Sequence, residues 1–480
     1  MYGWQEPLYG SRIYLITDNT YMVDFELNIR EADKNTIYIS SGESRINLGI
    51  HKFQNKLYSA NFVGICRIKN YVGENLVDDE GNILLLKVVP RFQIGITELL
   101  NYIREDDEFD RYLAPQTKSN RHNDKEIEEV DKNEIFYFYE NEKPLKVDDN
   151  ISEENGIITV TVFLSLLKGL CKRPLMGKML SQEENLTGKI KGKVVVEKNI
   201  RYNSMRGRND RFYCRYLRYT DNIVENQILK FALKKAKRFL NDYFGTLIND
   251  RNYYTGMISY CANVFRNIDD INYTGADCRR QKFSGCYAYY RPVMSMAEMI
   301  LDDISIESNG SVSLSGFIIP YAISMEKLFE VYVRAYLKRN GVKSYKEDME
   351  EGLVIEKYDE KIDTLIKDEQ LKIPAKYIEG PIKPDIIISD LKSDRKIVFD
   401  VKYKDYKNSS SRNDRLQLLA YSMMLNADHI GLIFPSSDGS IIFDERDVNS
   451  LETRSVKYHQ FALSMDRNDS RVAEHILNNF

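Results

Sequence analysis

The sequence predicts a multidomain α+β protein with a β-rich, barrel-like N-terminal domain, a mixed basic middle region, and a C-terminal α/β core whose mixed sheet is flanked by helices. Three observations carry that expectation. The 480 residues are enough for about three domains of ordinary size. Short strand-like runs separated by turn residues dominate the start, whereas apolar runs alternating with helical patterns dominate the end. A formal charge of only −4 hides a change of sign along the chain. The boundaries expected are 1–100, 101–160, 161–300 and 301–480.

Residues 1–100 contain the runs Arg12-Ile13-Tyr14-Leu15-Ile16, Thr36-Ile37-Tyr38-Ile39 and Ala60-Asn61-Phe62-Val63-Gly64-Ile65, separated by Gly, Asn and Asp as strands are. Asp78-Asp79-Glu80-Gly81-Asn82 reads as a turn, after which Ile83 to Phe92 returns as a strand. A small barrel or sandwich is expected. Residues 101–160 form an acidic insertion or linker, with 17 Asp and Glu against 8 Lys and Arg between Asn101 and Gly156. A solvated loop is expected there, with a protein-binding role as the alternative.

The sign then reverses, with 19 Lys and Arg against 6 Asp and Glu between Thr161 and Leu240. In the densest stretch Arg201, Arg206, Arg208, Arg211, Arg215 and Arg218 are interleaved with Tyr202, Phe212, Tyr213, Tyr216 and Tyr219. Guanidinium groups fork onto phosphates while aromatic rings pack or stack, which makes this a candidate nucleic-acid contact. The alternative is a set of solvated strand faces whose tyrosines pack inward.

The chemistry sits in residues 301–480. Lys383-Pro384-Asp385-Ile386-Ile387-Ile388 places a carboxylate at the head of an apolar strand, and fifteen residues later Asp400 lies within Lys396-Ile397-Val398-Phe399-Asp400-Val401-Lys402-Tyr403. The second segment is rich in β-branched and aromatic residues and reads as a buried strand, with Asp394-Arg395 suited to the turn before it. Side chains alternate on a strand, so Asp400 and Lys402 share a face. Two neighbouring strands would bring Asp385 and Asp400 to one hard cation. Mg2+, with Mn2+ able to substitute, takes one or two carboxylates and keeps positions for water and a phosphate oxygen. The backbone carbonyl of Val401 could add a ligand. Such a cation acidifies a bound water and neutralises the charge that develops in phosphodiester hydrolysis. Lys402 would orient that water, or help deprotonate it if its own pKa were depressed.

Asp-x-Lys alone is unspecific, and Asp359-Glu360-Lys361 repeats it in a polar stretch without a preceding Pro-Asp strand. The flanks add specificity. Ser324 to Leu337 has helical apolar spacing with Ser324 as N-cap and Glu330 mid-helix. Asp414 to Leu425 is a second helix with Asp414 as cap, on which Gln417 and Tyr421 are four apart and share a face. The short apolar strand Ile430 to Phe434 follows, and His429 before it is expected to be packing at the junction.

This order, helix with Glu, strand with Pro-Asp, strand with Asp-x-Lys, helix with Gln-x-x-x-Tyr, resembles the PD-(D/E)xK nuclease superfamily in its RecB-like branch, over roughly residues 320 to 435. The resemblance implies that Asp385, Asp400 and Glu330 hold the metal, with Lys402 beside them, and that Gln417 and Tyr421 contact DNA or orient the site. Glu326, one turn before Glu330, competes for its role, and Gln417 with Tyr421 could be an ordinary amphipathic face. Upstream, Leu186-Thr187-Gly188-Lys189-Ile190, Phe212-Tyr213-Cys214-Arg215-Tyr216 and Asp221-Asn222-Ile223-Val224-Glu225-Asn226-Gln227-Ile228-Leu229-Lys230 occur in order. With Val88-Val89-Pro90-Arg91, Lys327-Leu328-Phe329-Glu330 and Gln417-Leu418-Leu419-Ala420-Tyr421, that series resembles the McrC family, the nuclease subunits of McrBC-type restriction systems, from about residue 55 to 435. The resemblance implies a Mg2+-dependent DNA endonuclease subunit that docks through its N-terminal region on a McrB-like AAA+ GTPase ring, stimulates GTP hydrolysis and cuts both strands. The long N-terminal segment, the acidic insertion and the tail, residues 436–480, depart from a compact member.

Other classes are disfavoured. Gly177-Lys178 precedes Met179 and Gly192-Lys193 precedes Val194, where a phosphate-binding loop needs Ser or Thr, so no nucleotide is expected to bind this chain. The 6 cysteines include no C-x-x-C pair and the 5 histidines have no ligand spacing, which argues against zinc, an iron–sulfur cluster or a His-based hydrolase. The start of the chain lacks a signal-peptide pattern and no apolar run reaches membrane length, so a cytoplasmic protein is expected. Two alternatives remain: a stand-alone RecB-like repair nuclease, and a non-catalytic DNA-binding or GTPase-activating adaptor.

Overall fold

The computed structural model describes residues 2–31, 33–37, 46–92, 99, 135–138, 145–146, 149–243, 251–306, 312–314, 317–318, 320–344, 353–355, 384–390, 395–406, 412–443, 446–450, 454–465 and 468–479. The chain forms two compact units, one of Met1–Glu142 with Pro320–Phe480 and one of Lys143–Ile319. The divisions thus fall at 142 and 320 rather than at 100, 160 and 300. Most of the acidic segment, 101–134, lies outside the described residues, as does the Asp359-Glu360-Lys361 triplet.

In the first unit, six strands among the described residues form an open sheet in the order Gly3–Trp4, Ser11–Thr17, Ile83–Val89, Phe62–Arg67, Tyr321–Ser324, Phe136–Phe138. The barrel-like expectation is therefore corrected. The flank of Phe62–Arg67 is taken by Tyr321–Ser324, a strand more than two hundred residues downstream, with Tyr321 opposite Ile65 and Ala322 opposite Gly64. Gly64 has φ +143°, and a Cβ there would lie 2.2 Å from the Tyr321 carbonyl oxygen, so the close pairing needs glycine. Thr36 and Ile37, expected in a strand, lie in a turn and a bend, and Tyr38 and Ile39 fall outside the described residues. The Asp78 turn forms as its composition suggests, with Asp78 Oδ1 accepting the amides of Glu80 and Asn82 at 3.0 and 2.8 Å.

The same unit holds a second, mixed sheet of eight strands among the described residues. At its centre Ile386–Asp390 runs antiparallel to Lys396–Val401, which is parallel to His429–Ser436, itself parallel to Arg454–Ser464. These strands are continuous apolar runs because both faces are covered: Ile397, Val398 and Phe399 are all buried. Helix Arg412–Leu425 packs on this sheet through Leu418 and Tyr421, which join Val398, Ile430, Leu432 and Phe434 in one core cluster. Helix Met325–Arg339 buries Leu328, Phe329, Val331 and Tyr332. Ser324 occupies its N-cap without a capping hydrogen bond from its side chain, because it also ends the preceding strand. Residues beyond 436 form part of this fold. Arg454–Ser464 covers the flank of His429–Ser436, and helix Arg471–Asn479 buries Val472, Ala473 and Ile476, with the Ala473 amide donating to the Tyr336 hydroxyl at 3.1 Å.

The second unit combines helices Asp149–Cys171, Val224–Tyr243, Arg251–Val264 and Tyr290–Asp303 with a sheet in which Arg211–Thr220 lies between Lys193–Val194 and Lys178–Thr187. Among the described residues no helix is long and apolar enough to cross a membrane.

Candidate functional site

Ile386 pairs with Phe399, and extending that antiparallel register by one residue sets Asp385 opposite Asp400. The Pro384-Asp385 step thus delivers its carboxylate to the C-terminal end of the Asp400 strand. Asp385 Oδ2 accepts the Val401 amide at 2.7 Å, and Arg334 on the Glu330 helix donates to the Asp385 carbonyl at 3.2 Å. Asp400 is 1% exposed, and Lys402 Nζ lies 2.7 Å from its Oδ2 as an ion pair. The contact lacks good hydrogen-bond geometry, so the charge of the Lys402 ammonium is what compensates this buried oxygen.

The electrostatics match this crowding. Burial, then Glu330 and Asp400, push Asp385 up to about 8, against the lowering effect of the Val401 amide. Burial also raises Asp400, with Lys402 opposing it. Burial alone would lower Lys402, but Asp400, Asp385 and Asp414 outweigh it and hold the ammonium above its ordinary value. Without a metal Lys402 is thus an ammonium, the form suited to orienting a water.

Of the two helix carboxylates, Glu326 is exposed and accepts Asn61 Nδ2 at 2.7 Å, whereas Glu330 is half-buried and acts on Asp385. Glu330 is held by Lys327 at 2.7 Å. Accordingly, among the described residues no group of three or more His, Cys, Asp or Glu is arranged to hold a metal. Gln417 Nε2 donates to the Tyr421 hydroxyl at 2.6 Å, and buried Tyr421, its pKa raised by burial, feels both Asp400 and Asp385. The shared face expected of the two residues exists, directed toward the carboxylates. Asp414 is not the helix cap: the helix starts at Arg412, and Asp414 in its first turn pairs with Lys404.

Sequence reasoning missed the residues behind the site. Asp18 and Arg91 pair with each other, and Arg91 donates to the Tyr403 carbonyl at 2.6 Å. The phrase Val88-Val89-Pro90-Arg91 was a signal, but nothing local links it to a strand 300 residues away. His429 is buried and stacked on His459, with a 2.9 Å nitrogen contact, so it is packing of a polar kind.

In the second unit the six arginines do not share one face. Arg211 and Arg215 alternate with Arg218 along Arg211–Thr220, so Arg218 projects from the opposite side. Arg215 is occupied by Glu183 at 2.6 Å, while Arg201 and Arg206 lie over the Tyr202 ring at 5.6 and 6.0 Å. Arg201 and Arg206 with Arg208 belong to the helical turn region at 196–208 beside this sheet. The Asp221 to Lys230 phrase is a buried anchor rather than a surface. Asn226 donates to the Met176 and Asp221 carbonyls at 2.9 and 2.6 Å and accepts from the Tyr290 hydroxyl at 2.9 Å.

Against this geometry, the family model described as "McrBC 5-methylcytosine restriction system component" matches residues 68–435. The chain belongs to this McrBC component family. The match takes in strand Ile83–Val89 of the N-terminal sheet, the basic unit and both aspartate strands, as the sequence resemblance to McrC implied. No curated protein matches. Among solved structures, a half-complex of Thermococcus gammatolerans McrB AAA+ hexamers with bound McrC is similar at TM-score 0.42 and 13% identity, covering 98% of this chain and 100% of that one. A second, the cryo-EM structure of the Thermococcus gammatolerans McrBC complex, is similar at TM-score 0.29 and 14% identity, covering 69% of this chain and 89% of that one. The McrBC family assignment rests on the family model and its span.

Proposed function

We propose that the chain is the McrC-like subunit of its McrBC-type system and a metal-dependent endodeoxyribonuclease with a PD-(D/E)xK active site. The observation that carries this reading is the register that opposes Asp385 and Asp400, with Lys402 on the buried Asp400 oxygen. Two buried carboxylates whose pKa values are both raised by burial, Asp385 further by Glu330 and Asp400, suit a hard divalent cation. Asp385 and Asp400 would hold Mg2+ or Mn2+, and Glu330 would join by exchanging Lys327 for the ion. When bound, the cation would acidify a water and offset phosphoryl charge. Lys402 orients the attacking side, the Val401 amide fixes Asp385, and the Gln417–Tyr421 pair borders the space that a phosphate would enter. The substrate would be double-stranded DNA, met by the arginine track, and the partner a McrB-like AAA+ GTPase ring, as the resemblance to McrC implies.

The absence of a ready three-ligand group among the described residues favours a second reading, a non-catalytic adaptor. The deciding experiment is cleavage of long duplex DNA, native and methylated, by wild type and Asp400→Ala, with and without Mg2+, GTP and the partner NTPase. The proposal expects cutting only by wild type with metal and partner, and retained DNA binding and GTPase stimulation by Asp400→Ala. Cutting by the chain alone would favour a stand-alone nuclease. GTPase stimulation without cutting or metal binding under any condition would establish the adaptor.

A further inference from the structure

Behind the aspartate pair lies a buried charged cluster that the reaction itself does not use. Asp18 follows strand Ser11–Thr17 and Arg91 follows strand Ile83–Val89, and the two strands run parallel and side by side. Their ends are therefore fixed together: the Asp18 amide donates to the Val89 carbonyl at 3.0 Å, and the Arg91 amide donates to Asp18 Oδ1 at 2.7 Å. Asp18 is 0% exposed, and Arg91 Nε stands 3.9 Å from its Oδ2. Burial pushes Asp18 up to about 6, while the Arg91 guanidinium beside it works against that.

From this base the guanidinium reaches the residue after Lys402. Arg91 donates to the Tyr403 carbonyl at 2.6 Å and lies over the Tyr403 ring at 4.8 Å. The Tyr403 hydroxyl faces Asp18 and lowers its pKa, although neither that hydroxyl nor Asp18 Oδ2 has a hydrogen bond of good geometry. The Tyr403 ring meets Phe92 at 5.2 Å and Phe329 at 5.9 Å. Phe329 immediately precedes Glu330, so the buried ring carried by the residue after Lys402 meets both Arg91 with Phe92 and the Glu330 helix. We propose that Asp18 and Arg91 are positioning residues, which hold Tyr403 so that Asp400 and Lys402 on one side and Glu330 on the other keep the spacing that a divalent cation needs. The N-terminal sheet is thereby part of the active site's support. This inference rests on the proposed nuclease reading.

Outer-shell partners of a metal site commonly change metal affinity or activity by about 10- to 100-fold without touching the metal. The test measures Mn2+ binding by calorimetry, thermal unfolding, and cleavage kcat and KM for the full chain with its partner, in wild type, Asp400→Ala, Arg91→Lys and Asp18→Asn. Arg91→Lys keeps the charge beside Asp18 but loses the fork that spans Asp18 and the Tyr403 carbonyl. Expected are Mn2+ affinity and kcat each lowered by about tenfold or more, with KM for DNA within about twofold and an almost unchanged unfolding midpoint. Wild-type metal affinity and kcat in Arg91→Lys would overturn the proposal, as would losses that track a lowered unfolding midpoint. If Arg91→Lys does not fold, the same outcomes in Asp18→Asn decide. Mn2+ binding that is absent from wild type, or unaltered in Asp400→Ala, would instead remove the nuclease reading itself.

Discussion

Asp385 concentrates the conflict between stability and chemistry. Its carboxyl is pushed up to about 8 by burial, Glu330 and Asp400, whereas an unfolded aspartate titrates near 3.9. The folded site therefore keeps a proton that the unfolded chain releases, so this residue's contribution is fully present below about pH 4 and is lost as pH rises through about 8. Asp385→Asn cannot ionise. Without divalent metal the variant should unfold at a temperature several degrees above wild type at pH 9, and at nearly the same temperature at pH 4. Mg2+ should raise the wild-type midpoint at pH 9 and leave the variant's unchanged. Scanning calorimetry at both pH values checks this, and an equal difference at both would mean that Asp385 does not carry the titration. The juxtaposition of Asp385, Asp400 and Lys402 was legible because strand alternation and a proline step are local signals. Asp18 was not, since a lone aspartate after a strand has no local pattern that tells of its pairing with Arg91 and Tyr403.

At the scale of elements, the sequence identified helices by period and strands by apolar runs, and it lost precision where one element's end is fixed by another. The Glu330 helix is one example: periodicity could not choose between Glu326 and Glu330, which share a face, but Asn61, just before the distant strand Phe62–Arg67, takes Glu326. The arginine track is another. Composition alone made six arginines equivalent, yet strand alternation separates Arg218 from Arg211 and Arg215, and Arg215 shares Glu183 with Lys198. Replacing Arg206, Arg208 and Arg211 together by Ala should lower duplex affinity by about tenfold or more and reduce the slope of log K against log salt by roughly 2 to 3. Arg215→Ala should reduce the slope by no more than about 1, because one guanidinium is lost and Glu183, shared with Lys198, competes with phosphate for it. Binding titrations at several salt concentrations measure both. A slope that stays the same in the triple variant would assign this element to packing rather than to DNA.

The whole molecule is one unit interrupted by another. Residues Lys143–Ile319 leave and re-enter the first unit between two strands that are directly paired, Phe138 opposite Tyr321 and Phe136 opposite Ile323. That nesting was invisible to composition, which placed boundaries where charge changes sign, because a strand at 321–324 paired with one at 62–65 is a long-range contact without a local signature. Antiparallel partners can be joined by a loop of about two to five residues. A chain in which a short Gly-Ser loop replaces the second unit and connects the two paired strands should therefore keep both sheets of the first. Expected are a single cooperative unfolding transition, Mn2+ binding that still depends on Asp400, and loss of most of the salt-dependent duplex affinity, since the arginines leave with the excised unit. An unfolded product would mean that the first unit needs the second for its stability. Retained salt-dependent binding would place the DNA contact on the aspartate unit, where Lys402 and Lys404 rather than the arginine track would supply the charge.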